Sequence, residues 1–155
     1  MSIFDKLIIN AAITGMVPMK SDTPHVPITV DEIVADIKRA RDAGASIVHL
    51  HARQEDGSAD YRAEVYSQIL AGARAVAPDV ILCVSTSGRV FKTFEQRSEV
   101  LDCRNPQPEM ASLTLGSMNF PKVASVNDPD MIRSLAQRMA ERGIVPEMEC
   151  FDLGM

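Results

Sequence analysis

The stretch Ile47-Val48-His49-Leu50-His51-Ala52-Arg53 decides how the rest of the chain is read. It opens on β-branched residues, Gly44 precedes it and Asp56-Gly57 follows it, so a short buried strand is favoured over a helix. Side chains alternate along a strand, which puts His49 and His51 on one face, about 6–7 Å apart. Two imidazoles so placed can share one metal ion. They also end their strand, and parallel α/β sheets build their sites at the C-terminal ends of strands. The plainer alternative is one histidine hydrogen-bonded in the core and the other in a loop. That suits an isolated histidine better than a pair at i, i+2.

On either side of this strand the chain alternates strands and helices. Lys6–Thr14 reads as a first buried strand ending at Gly15. The loop from Met16 to Ile28 is broken by Pro18, Pro24 and Pro27 and carries His25, a minor candidate for substrate or metal contact. Thr29-Val30-Asp31-Glu32 is a capping box; Ile33, Val34, Ile37 and Ala40 follow at helical spacing, and Gly44 closes the helix. Glu64–Val76 is a second helix, stopped by Pro78, and Val80–Ser85 is a strand running into Ser85-Thr86-Ser87-Gly88. Phe94–Cys103 is read as a helix and Met110–Leu115 as a fourth strand. Asp128-Pro129 starts a helix as N-cap and N1, Ile132, Leu135, Ala136 and Met139 form its buried face, and Gly143 ends it. Val145–Asp152 is the fifth strand.

This alternation implies right-handed βαβ crossovers and a parallel sheet. Two architectures compete, an open doubly wound sheet and a (β/α)8 TIM barrel. No Gly-x-Gly-x-x-Gly turn follows the first strand, which weakens the first. Thr14, His49, His51, Ser85, Ser112, Thr114 and Glu149 would face one mouth, which favours the barrel. Five strands and four helices are a little over half of one, since a complete barrel takes about 250 residues. Residues 1–155 are therefore expected to be the N-terminal part of a single TIM-barrel domain, or one of two copies that assemble. A half barrel leaves two apolar edges that need a partner.

Bulk properties narrow the class. The 155 residues are 46% apolar and 24% charged, the balance of a globular domain. Twenty-one acidic against sixteen basic residues give a net charge of −5 without a Lys/Arg cluster, which argues against nucleic acid and for small molecules. No run is long enough to span a bilayer and no signal sequence is recognisable, so a cytoplasmic protein is expected. Cys83, Cys103 and Cys150 are odd in number and form no C-x-x-C, and read as reduced packing residues.

A metal with an open coordination position polarises a carbonyl oxygen, but catalytic zinc takes three protein ligands. The candidates for the third are Glu149, Glu147, Asp152 and His25. Glu147 and Glu149 share one strand face; Glu149 is given the functional role, and Glu147 is expected to pair with a Lys or Arg at the closed end. The hydroxyls of Ser85-Thr86-Ser87-Gly88 and of Ser112 and Thr114 suit a carboxylate headgroup. Together these residues predict a metal-dependent site for a small carbonyl-containing acid.

Ala11-Ala12-Ile13-Thr14-Gly15, Pro27-Ile28-Thr29, Val48-His49-Leu50-His51-Ala52-Arg53, Ser85-Thr86-Ser87-Gly88, Ser112 to Phe120 and Pro146-Glu147-Met148-Glu149 together resemble the β-keto acid cleavage enzymes, the group that includes 3-keto-5-aminohexanoate cleavage enzyme. The resemblance runs through essentially the whole chain in order. It implies an oligomeric, zinc-dependent (β/α)8 barrel that takes a β-keto acid and acetyl-CoA and yields acetoacetate and a new acyl-CoA. It further implies that His49 and His51 are zinc ligands, that Ser85, Gly88, Ser112 and Thr114 hold the keto acid, and that Glu149 lies beside the metal as a catalytic residue.

Two departures stand out. Val17 occupies the position at which the aminohexanoate enzyme has an acidic residue for the substrate's amino group, so an uncharged or apolar tail is expected. The family's third zinc ligand, a glutamate, and its catalytic Arg and Asp come from later strands than any in this sequence. The 155 residues alone are therefore expected to lack cleavage activity. Two further readings remain, a catalytically incomplete half barrel serving as an assembly module and another metal-dependent aldolase or lyase.

Overall fold

In a computed structural model, which describes residues 6–155, the chain forms nine strands and four α-helices. Five strands make one parallel sheet: β1 (Asn10–Ile13), β2 (Ile47–Leu50), β5 (Ile81–Val84), β6 (Met110–Thr114) and β9 (Val145–Glu149), side by side in that order. The rest form two short antiparallel hairpins, β3 (Ala52–Arg53) with β4 (Ala59–Asp60) and β7 (Met118–Asn119) with β8 (Ala124–Ser125). Neither hairpin was legible in the sequence, because strands of two residues carry no periodicity.

The helices start and stop as local chemistry dictates. In α1 (Val30–Asp42) the Thr29 hydroxyl accepts from Glu32 N while the Glu32 carboxylate accepts from Thr29 N, so the capping box is present in full. Helix α2 spans Ala63–Val76, and α4 (Pro129–Arg142) has Asp128 as N-cap, Pro129 in its first turn and Gly143 at φ 67° to end it. The segment Phe94–Cys103 differs from the expected single helix. It is α3 (Phe94–Ser98) followed by a 3-10 turn at Glu99–Asp102, a tightening that buries Val100 and Leu101 in the core. The first strand is also shorter than its apolar run: Leu7 and Ile8 are largely exposed and pairing begins only where Ile9 O accepts from Ser46 N and Ile47 N.

Because sheet neighbours follow chain order, each right-handed crossover steps the same way and delivers its helix to the same face. Val48, Leu50, Leu82, Val84, Ala111 and Leu113 point to that face and pack against Ile33 and Ile37 of α1, Ile69 and Leu70 of α2, and Leu135 and Met139 of α4. A doubly wound sheet reverses its order and places helices on both sides. The winding here is the unidirectional one, with β1 and β9 as open edges among the described residues. The opposite face is polar. Residues in register there are Ala12, His49 and Cys83; Ser112 and Glu147; and Thr114 and Glu149.

Candidate active site

The polar face and the loops at the C-terminal ends of its strands enclose an open cleft of about 520 Å³. Its floor carries His49, His51, Ser85, Thr114, Glu147 and Glu149; loops add Met16, Arg89 and Phe120. All six floor residues sit on one side of the sheet because strand parity puts them there.

The two histidine rings lie 4.9 Å apart, tilted by 43°. His49 is buried, and its Nδ1 meets Glu147 Oε2 at 2.6 Å. Glu147 is held in turn by Asn10 Nδ2 and by the Cys83 thiol, 3.3 Å away. The hydrogen bond from His49 keeps the Glu147 carboxyl below the usual carboxylate range, against the opposing effect of partial burial. A neutral His49 that donates Nδ1–H to Glu147 presents its Nε2 lone pair, the geometry in which a carboxylate orients a metal-binding imidazole. His51 is half-buried, and its Nδ1 is enclosed without a hydrogen-bond partner. Burial first, then the adjoining His49 ring and the Arg53 and Arg89 guanidiniums, pushes its pKa down to about 3. It is therefore an unprotonated nitrogen donor at neutral pH. This orphaned nitrogen beside an oriented imidazole fits two of the three protein ligands of a catalytic zinc.

His49, Cys83 and Glu147 also bring donor atoms within 4.8 Å of one another. Burial and the adjacent Glu147 raise the Cys83 thiol far above its ordinary range, so it stays protonated and donates to the carboxylate. The trio is better described as the hydrogen-bonded backing of His49. Glu147 is thus not at the closed end with a Lys or Arg partner: its register position beside Ser112 and its parity with Glu149 turn it into the cleft. Glu149 accepts a 2.5 Å hydrogen bond from Thr114 Oγ1, and both border the cleft.

The remaining expected site residues divide. Ser85 borders the cleft, with its hydroxyl accepting from Ser87 N. Ser112 is buried behind it; its hydroxyl accepts from Thr86 N and its carbonyl from Thr86 Oγ1, so it shapes the loop after β5. Gly88 does not border the cleft, and a Cβ there would meet Val126 O at 2.6 Å and Arg97 Nη1 at 2.7 Å. Val17 is half exposed and His25 exposed, and neither borders the cleft.

Two buried arginines that sequence reasoning missed hold the loops. Arg97 donates to Thr86 O, Val126 O and Asn127 Oδ1, and burial lowers it to about 10. Asn127 extends the link to Gly116 O, so loops after β5 and β6 are fastened to one guanidinium. Arg53 donates to Gly15 O, Pro18 O and Gly57 O and fixes the loop after β1. Among these loop anchors only Arg53, beside the His-x-His pair, had a sequence cue.

Known proteins resemble this chain in sequence and in fold. A family profile described as beta-keto acid cleavage enzyme matches residues 6–155. The 3-oxoadipate:acetyl-CoA acetyltransferase of Cupriavidus necator is 44% identical over 148 residues, covering 96% of this chain and 51% of the relative. The 3-keto-5-aminohexanoate cleavage enzyme of Acetoanaerobium sticklandii is 41% identical over 152 residues, covering 97% and 55%. Among solved structures, the apo structure of ObcA superposes with a TM-score of 0.75 at 27% identity, over 87% of this chain and 32% of that one. The chain spans about half the length of the curated relatives it matches. With the His-x-His strand, the hydroxyl-bearing loops and the paired glutamates all in one cleft, this chain belongs to the beta-keto acid cleavage enzyme family.

Proposed function

We propose that the protein exchanges acyl groups between a β-keto acid and acetyl-CoA, giving acetoacetate and a new acyl-CoA, at a zinc site to which this chain contributes His49 and His51. The reaction balances without oxidant or reductant. The bond between C2 and C3 of the keto acid breaks, C2 joins the acetyl carbonyl carbon, and the thiol of CoA ends on the released acyl group. Zinc, when bound, would polarise the keto oxygen. Glu147 holds His49 in the ligating tautomer, and the Ser85 hydroxyl would donate to the substrate carboxylate while Thr114 beside it donates to Glu149. Glu149, beside Thr114 on the cleft floor, would serve as the carboxylate for proton transfer.

The observation that carries this reading is the imidazole pair with its Glu147 backing. It is tested by measuring zinc content and acetoacetate formation from β-keto acids and acetyl-CoA. About one zinc per subunit with acetyl-CoA-dependent turnover is expected; turnover that ignores acetyl-CoA would instead indicate an aldolase or lyase. The two open sheet edges favour a companion reading of architecture: the sheet is completed to an eight-stranded barrel by further strands, in a homo-oligomer.

A further inference from the structure

We propose that Arg89 is a specificity-determining residue of the cleft, and that its guanidinium takes the distal carboxylate of a β-keto diacid. This rests on the β-keto acid reading above and narrows it. The expectation of an uncharged or apolar tail followed from Val17, which argues only against a cation.

Arg89 lies five residues beyond the end of β5 and borders the cleft. Its guanidinium carbon sits 3.5 Å from the ring centroid of Phe120, a residue on the β7–β8 turn that also borders the cleft. A guanidinium stacked face-on keeps its N–H edges in plane and free, the arrangement that grips a carboxylate with two parallel hydrogen bonds. Among the described residues, no carboxylate or carbonyl takes those edges. The Arg53 and Arg97 guanidiniums are filled by carbonyl and amide oxygens, and Arg62, Arg74, Arg138 and Arg142 are paired with carboxylates. The carboxylates that border the cleft are committed elsewhere, Glu147 to His49 and Asn10, and Glu149 to Thr114. Arg89 is thus the Lys/Arg side chain of the cleft, held on a ring and lacking an anion. The carboxylate next to the keto group has a hydroxyl donor on the floor, at Ser85. The anion left for a loop-borne guanidinium is one at the far end of the substrate.

The test uses the natural gene product loaded with zinc, with 3-oxohexanoate and 3-oxohexanedioate as probes of equal chain length. Both kcat/KM with acetyl-CoA and equilibrium binding by calorimetry without it are measured for the wild type, Arg89→Leu, Arg89→Lys and Phe120→Leu. The wild type should prefer the diacid by about tenfold or more, the scale of a charge-assisted pair. Arg89→Leu should remove that preference, Arg89→Lys should recover part of it, and Phe120→Leu should weaken it through loss of the stack. An equal loss on both probes would overturn the proposal, because the guanidinium would then hold a group common to both substrates or to CoA. So would an unaltered preference. If neither probe yields acetoacetate in the wild type, the cleavage reading fails by itself, and the diacid-to-monoacid affinity ratio still decides the role of Arg89.

Discussion

At the scale of single residues, the site depends on contacts that orient the histidines. Glu147→Gln removes the charged acceptor for His49 Nδ1–H, and zinc affinity should fall roughly 10- to 100-fold, with partial recovery in Glu147→Asp. Competitive zinc titration measures this; an unchanged affinity would return Glu147 to a purely structural role. Gly88 is a second sensitive point. The methyl group of Gly88→Ala would press on a backbone carbonyl and on the fully engaged Arg97, neither of which can yield. A loss of about 1–3 kcal/mol is expected from urea unfolding. The His49/His51 pair was legible in the sequence because parity alone aligns i and i+2. The contact from His49 to Glu147 was not: the partners are 98 residues apart, and only the register of β9 on β6 brings the carboxylate under the ring.

At the scale of elements, α1 depends on its first turn. Thr29→Ala deletes the hydroxyl that accepts from Glu32 N and should cost about 1 kcal/mol in denaturant unfolding. Glu32 accepts from Lys20 Nζ, Ile28 N and Thr29 N, and these donors, Lys20 first, lower its pKa from 4.5 to about 2. A carboxylate depressed in the fold binds fewer protons there than in the unfolded chain. Its contribution is therefore complete above pH 4.5 and lost as the pH falls towards 2. The gap in urea midpoint between wild type and Glu32→Gln should accordingly close over that window. A gap independent of pH would refute the assignment. The capping box was readable because it is local, four residues in a row. The packing of α1 on α2 was not: Gly72 lets the helices approach so closely that a Cβ would lie 2.5 Å from Val34 Cγ2. Gly72→Ala should thus destabilise despite alanine's better helix propensity.

At the scale of the whole molecule, the unidirectional winding leaves β1 and β9 as open edges, with Ile8 and Ile9 near one, and Val145, Met148 and Phe151 on or near the other, exposed by 43–72%. Edges of this kind template further pairing. The 155 residues expressed alone should self-associate with concentration in sedimentation velocity. A stable monomer would contradict the barrel reading. Among the described residues no helix is long and apolar enough to cross a membrane. The order of the five sheet strands and of the helices between them was visible in the sequence; the two hairpins, the ends of β1 and β9 and the break in Phe94–Cys103 were not, since each depends on which neighbours are present to pair or bury them.

The amino-acid sequence by itself determined the features that arise within a few residues: the alternation of strands and helices, the caps at Thr29 and Asp128, the aligned imidazoles, the hydroxyls after β5 and the family resemblance they carry. Tertiary structure alone decided that Glu147 backs His49, that Ser112 and Gly88 shape a loop, that Arg97 fastens two loops, and that Arg89 is stacked and free. The division is physical. Periodicity and capping are set by neighbours along the chain, whereas hydrogen-bond partners across a sheet follow from register, which is fixed only when the entire apolar face packs against its helices.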